Sequence, residues 1–140
     1  MKKAISVLAL GAALVQAQPA LAQITGHQCI VEQNARQDHW LPEVLFIGYD
    51  PQKKRVIISD PIVLYFNDRQ PIEGELDTDN TLRLTVTWRI EGKSGTGQFI
   101  RMAYRATIIK ATGRLSISAK LLGHDGVFTG GGICDSQKLK

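Results

Sequence analysis

Catalytic vocabulary is scarce in this chain. Its 140 residues include only two cysteines and three histidines. There is no C-x-x-C, so neither a redox dithiol nor a zinc knuckle is encoded. His27, His39 and His124 never fall at the spacing of a zinc-binding helix. No G-x-S-x-G is present to present a nucleophilic serine. The Gly92–Gly97 stretch is rich in glycine, but a phosphate loop would need glycine at position 87, where Thr87 sits. It would also need a helix to follow, because the helix N-terminus supplies the anion site. Glu73 and Glu75 lie two apart on a strand face open to water, which leaves carboxylate acidities ordinary. The chain therefore reads as non-enzymatic, with no metal, nucleotide or other cofactor expected.

Long apolar runs are also missing, with one exception at the start. Ala4–Val15 is an apolar run of twelve residues, short of the roughly 20 needed to span a bilayer. Lys2 and Lys3 precede it, and Ala20-Leu21-Ala22 closes it with an A-x-A cleavage pattern. A rival site follows Ala17. The expected leader is residues 1–22, with a single domain over 23–140 and no membrane span after processing. The pattern is bacterial, so the periplasm or the medium is the expected destination. The formal charge of +4 contains both leader lysines, which leaves +2 after cleavage. That balance is too weakly basic to point to nucleic acid.

In an oxidising compartment, two cysteines near opposite ends of a small domain default to a disulfide. A Cys29–Cys134 bridge would close nearly the whole chain. A loop of about 100 residues corresponds to roughly 4.7 kcal/mol in the chain-entropy treatment.

What the chain has in abundance is alternation. Leu82, Leu84, Val86, Trp88 and Ile90 interleave with Thr81, Arg83, Thr85, Thr87, Arg89 and Glu91. A period of two describes a strand with one wet face. Phe99–Ile109 repeats the pattern with Ile100, Met102, Tyr104, Ala106 and Ile108 facing inward. Arg114–Leu121 does so with Leu115, Ile117, Ala119 and Leu121. Before this meander come strands at 28–33, 43–48 and 55–59. The last two form a hairpin apolar on both faces, around a turn at Asp50-Pro51-Gln52-Lys53. Pro71 opens another alternating strand, with Ile72, Gly74 and Leu76 inward. Val127–Cys134 is the last strand, and Gly130-Gly131-Gly132 permits a bend or bulge. Asp60-Pro61 has the form of an N-cap followed by proline at the first helical position, which favours a short helix or irregular plug at one barrel end, while the apolar run Ile62–Phe66 also fits a strand.

Seven or eight strands in sequential hairpins predict an all-β fold: a small antiparallel up-and-down barrel with at most one short helix. A two-sheet sandwich is the alternative. Closure of the barrel removes edges and gives the inward residues one core.

The outward faces carry one uneven feature. A register with Glu75 opposite Arg83, Arg89 opposite Arg101 and Thr85 opposite Arg105 would gather Arg89, Arg101, Arg105 and Lys120 into a basic patch. Like charges held opposite one another destabilise a sheet, and arginine forks suit carboxylates and phosphates. A shift of that register places Glu91 opposite Arg101 and turns the patch into an ordinary ion-paired surface.

The functional expectation is an exported, non-catalytic binding or interaction module. Its partner would be an anionic envelope component or another periplasmic protein. The alternatives are a lipocalin-like carrier of a small apolar ligand and an inhibitor of a secreted enzyme. Intact-mass measurement of the exported protein checks the leader: a chain beginning at Gln23 is expected, and an uncleaved chain would refute it.

Overall fold

The structure, a computed structural model, describes residues 23–32 and 40–139, together with isolated positions 11, 13 and 15. The rest of the expected leader and the polar segment 33–39 lie outside the described residues.

Eight strands follow one another around a closed barrel, each antiparallel to its neighbours. They are β1 (Ile24–Val31), β2 (Val44–Asp50), β3 (Arg55–Ser59), β4 (Ile72–Asp79), β5 (Arg83–Lys93), β6 (Phe99–Ile109), β7 (Arg114–Leu121) and β8 (Val127–Leu139). The helix α1 (Pro61–Phe66) joins β3 to β4. The barrel, rather than the sandwich, is thus the architecture.

Closure comes from β8 pairing with β1 from Ile24↔Leu139 to Val31↔Gly132. Cys29 and Cys134 are direct cross-strand partners in that seam and are joined by a disulfide. Two glycines let the backbone pack closely on the two sides of β8, Gly132 against β1 and Gly113 from just ahead of β7. A Cβ at Gly132 would collide with the Ile30 carbonyl oxygen. Gly113 adopts φ +74, and a Cβ there would sit 2.6 Å from the Cys134 carbonyl oxygen. The expected bend at the triple glycine is instead a close approach, with Gly130, Gly131 and Gly132 all inside a continuous β7–β8 ladder.

Period two decides what fills the lumen. Leu45, Ile47, Val56, Ile58, Leu84, Val86, Met102, Tyr104, Ala106, Ile108, Ile117 and Ala119 are all buried in one core. The Trp88 indole stacks on the Tyr104 ring at 5.1 Å between centroids and 3° between planes. These two large rings, with the branched aliphatics around them, leave the interior packed. Leu82 departs from the pattern. It belongs to the turn before β5 and is exposed.

One end of the barrel is plugged. The Asp60 carboxylate accepts from the backbone N–H of Ile62 at 2.7 Å and of Val63 at 2.9 Å, which caps α1. The helix lays Val63 into the core against β3 and β5. Leu41 is buried beside the same end, and the Tyr104 hydroxyl donates to the Trp40 carbonyl at 2.8 Å. Asp60 Oδ2 and Trp88 Nε1 are buried and have no protein partner among the described residues. Burial pushes the Asp60 carboxyl up, against the two backbone N–H bonds that pull it down.

The β2–β3 hairpin keeps its second apolar face toward the outside. Ile133, Ile30 and Val44 form one outward row across β8, β1 and β2, and all three are exposed. Phe46 and Ile57 on the same side are half-buried.

Replacing both cysteines by alanine is expected to lower stability by about 2–5 kcal/mol. Urea unfolding followed by circular dichroism measures it, and an unchanged midpoint would contradict a stabilising seam.

Candidate functional site

Outward arginines and lysine come first, because the alternation singled them out. The β5–β6 register runs Glu91↔Arg101, Arg89↔Ala103 and Thr87↔Arg105. Arg89 is therefore not opposite Arg101, and Thr85 is opposite Thr107 rather than Arg105. The connecting loop sets this register. Ser94 N–H donates to the Gln98 carbonyl at 2.7 Å and Gly97 N–H to the Ser94 carbonyl at 2.8 Å, which brings Lys93 opposite Phe99. The β4–β5 pairing differs as well, with Glu75 opposite Thr87 rather than Arg83. There the Asn80 side chain accepts from Leu82 and Arg83 N–H, both at 2.9 Å, and the register shifts between Leu76 and Thr78.

Arg89, Arg105 and Lys120 do share one outer hollow of about 710 Å³, but Glu73 and Glu75 line it too. Arg105 is taken up by Asp77 at 2.9 Å, which holds the Asp77 carboxyl below its usual range. Glu73 lies 3.3 Å from Arg55. Arg101 stands apart. It lines a different hollow with Trp40, Phe99 and His124, and its guanidinium lies 5.8 Å from the Phe99 ring centroid. The hollow around Arg89 is of mixed sign, with three cations against two glutamates on its lining, and exposed pairs of this kind contribute little.

A second concentration of polar groups sits at the barrel end opposite α1. There the lumen opens into a hollow of about 340 Å³. Leu84 and Ile108 form its apolar floor. Thr25 and His27 come from β1, Ser136 from β8 and Tyr49 from β2, with Asp79 and Lys110 beside them. His27, Cys29 and Val31 alternate along the inward face of β1.

Two hydrogen-bonded groups occupy this mouth. His27 Nδ1 and Ser136 Oγ are 2.6 Å apart. Asp79 accepts from the Tyr49 hydroxyl at 2.9 Å through Oδ2 and from Lys110 Nζ at 2.5 Å through Oδ1. The Lys110 bond, helped by Tyr49, keeps the Asp79 carboxyl low despite some burial. Burial first, then the hydrogen bond to Asp79, push the Tyr49 phenol up to about 12. Burial, then the nearby Lys110 charge, lower the His27 imidazole. At neutral pH the mouth thus holds a neutral imidazole, a neutral phenol and one ion pair.

A hydroxyl beside an imidazole invites comparison with a nucleophile and its base. The arrangement lacks what makes such a pair reactive. No carboxylate is hydrogen-bonded to His27 among the described residues, and the Lys110 charge weakens the imidazole as a base. The mouth presents donors, one acceptor pair and an apolar floor. No group of three metal-ligating side chains occurs among the described residues. No described helix is long and apolar enough to cross a membrane. No family model, curated protein or solved structure matches the chain.

The His27 charge state has a direct sign. An imidazole lowered in the folded protein binds fewer protons than in the unfolded chain, so stability is lost as pH falls below about 6.5 toward the folded value. An NMR titration of His27 is expected to give a midpoint below 6.5. Lys110→Gln should raise that midpoint only in part, because burial is the larger cause. A midpoint above 6.5 would contradict this environment.

Proposed function

We propose that this protein is an exported, non-catalytic binding module that takes its ligand at the open mouth of the barrel. The observation carrying the reading is the distribution of polar groups. The lumen is filled by Trp88, Tyr104 and the aliphatics around them. Polar side chains from four strands and from the turn after β6 converge on the mouth above Leu84 and Ile108. A filled lumen disfavours carriage of an apolar ligand inside the barrel and leaves the rim as the place of recognition. The leader pattern and the disulfide seam fit a protein that works outside the cytoplasm. Arg89, Arg105 and Lys120 are a weaker candidate because glutamates share their hollow.

The test uses the processed, oxidised protein labelled with nitrogen-15 and titrated with small molecules extracted from a bacterial envelope. Amide shifts are expected around Thr25, Tyr49, Lys110 and Ser136, with the extract chemically unchanged by mass spectrometry. Shifts confined to other surfaces, no shifts at all, or conversion of an extract component would overturn the reading.

A further inference from the structure

We propose that the mouth selects a small carboxylate with an apolar body and takes it up together with one proton on His27. This deepens the reading of the mouth as a binding site and rests on it.

The hydrogen-bond inventory of the mouth carries the choice of ligand. Asp79, the only carboxylate lining the hollow among the described residues, already accepts from both Tyr49 and Lys110. It is therefore poorly placed to receive a ligand cation. Lys110 has three N–H donors and uses one on Asp79. The remaining polar capacity lies in the Thr25 hydroxyl and the His27–Ser136 pair.

That pair changes character with one proton. In either neutral tautomer one N–H or O–H is spent between Nδ1 and Oγ. The pair then offers a ligand one donor and one acceptor. When the imidazole is protonated, Nδ1–H donates to Oγ. The Ser136 hydroxyl and Nε2–H are both released as donors, and a positive charge is added. Two donors and a charge match the two oxygens of a carboxylate, and charge-assisted bonds are about twice as strong as neutral ones. The neutral pair suits an amide instead.

The other charges around the mouth set the balance. Lys110, in the turn after β6, and Asp79 at the end of β4 offset each other. Tyr49 on β2 stays neutral, with its phenol at about 12. Asp50, next along β2, is occupied in accepting from the backbone N–H of Gln52 and Lys53 in the turn. On β8, Lys138 pairs with Thr25 on the mouth side of the strand, whereas Asp135 pairs with the outward Gln28. Protonating His27 thus adds one positive charge to a rim where Lys110 is offset by Asp79 and Lys138 is not, and a bound carboxylate answers it.

The body of the ligand follows from the floor and the size. Leu84 and Ile108 are both 2% exposed at its base, and Pro51 lines the side. About 340 Å³ lies at the small end of the roughly 300–1,000 Å³ usual for ligand sites. Such a carboxylate reaches an exported protein either as a free short-chain acid or as the C-terminus of a chain ending in an apolar residue.

Isothermal titration of the processed, oxidised protein at pH 5.5 and 7.5 tests this. The probes are hexanoate, hexanamide, N-acetyl-leucine and N-acetyl-leucine amide. Hexanoate or N-acetyl-leucine is expected to bind, and which of them binds more tightly assigns the source. Affinity should rise by up to about tenfold per pH unit on acidification, as uptake of one proton requires. The amides should show no such rise. His27→Gln should abolish the pH dependence. Should that variant fail to fold, an NMR titration of the unsubstituted protein replaces it, with the His27 midpoint expected to rise on saturation with the acid. Equal binding of acid and amide, or an unmoved His27 midpoint, would overturn the ligand class. If envelope extract still shifts the mouth while neither acid binds, the inference fails and the binding reading survives. If neither acid nor extract acts there, both fail.

Discussion

The whole molecule depends on β8 returning to β1. A sheet of eight strands left open would expose two rows of unpaired backbone groups and the edge of an apolar core. The pairing from Ile24↔Leu139 to Val31↔Gly132 removes both edges together. The join is narrow, because Gly132 lies against the carbonyl oxygen of Ile30, where no larger residue fits without displacement. The disulfide lies in the same ladder. It limits the unfolded chain at the one place where the two ends of the sequence must find each other, and long-range pairing of that sort carries the greatest loop-closure entropy.

Closure also decides where polar chemistry sits. Once the inward residues share one packed lumen, a polar side chain is tolerated only with a partner or near water. At the plugged end the Tyr104 hydroxyl and the Asp60 carboxylate are tied to backbone. At the other end the inward positions change from aliphatic to Thr25, His27, Tyr49 and Ser136 as they near solvent. The mouth is thus the upper layer of the core, written in residues that hold hydrogen bonds, and the rigidity of the barrel below positions them.

Much of this was legible in the sequence, and the missing parts have physical causes. Period two gave the inward faces of β5, β6 and β7, because Trp88, Met102 and Ile117 alternate with polar neighbours over long runs. The Asp60-Pro61 pair marked the start of α1, since a cap and a proline act locally. Register is different. A slip of two residues keeps every side chain on its own face, so alternation cannot separate Arg89 opposite Arg101 from Arg89 opposite Ala103. The Ser94–Gln98 loop bonds make that choice. The mouth was missed because β1 begins at Ile24, four residues before the strand that the apolar pattern suggested. Thr25 and His27 face inward there, and polar inward residues carry no apolar alternation. Extending the period backward from Cys29 would have found them.

The seam has a geometric corollary for anything attached to this barrel. Ile24 and Leu139 are neighbours across β1 and β8, so the barrel's first and last strands begin and end at the same rim. That rim surrounds His27, Ser136 and Lys110. A segment attached directly to residue 24 or 139 would start at the edge of that hollow. A circular permutant that joins residues 24 and 139 and opens at the Ser94–Gln98 loop would move both new ends to the far pole. It would leave the rim clear and give the barrel a handle for surface immobilisation.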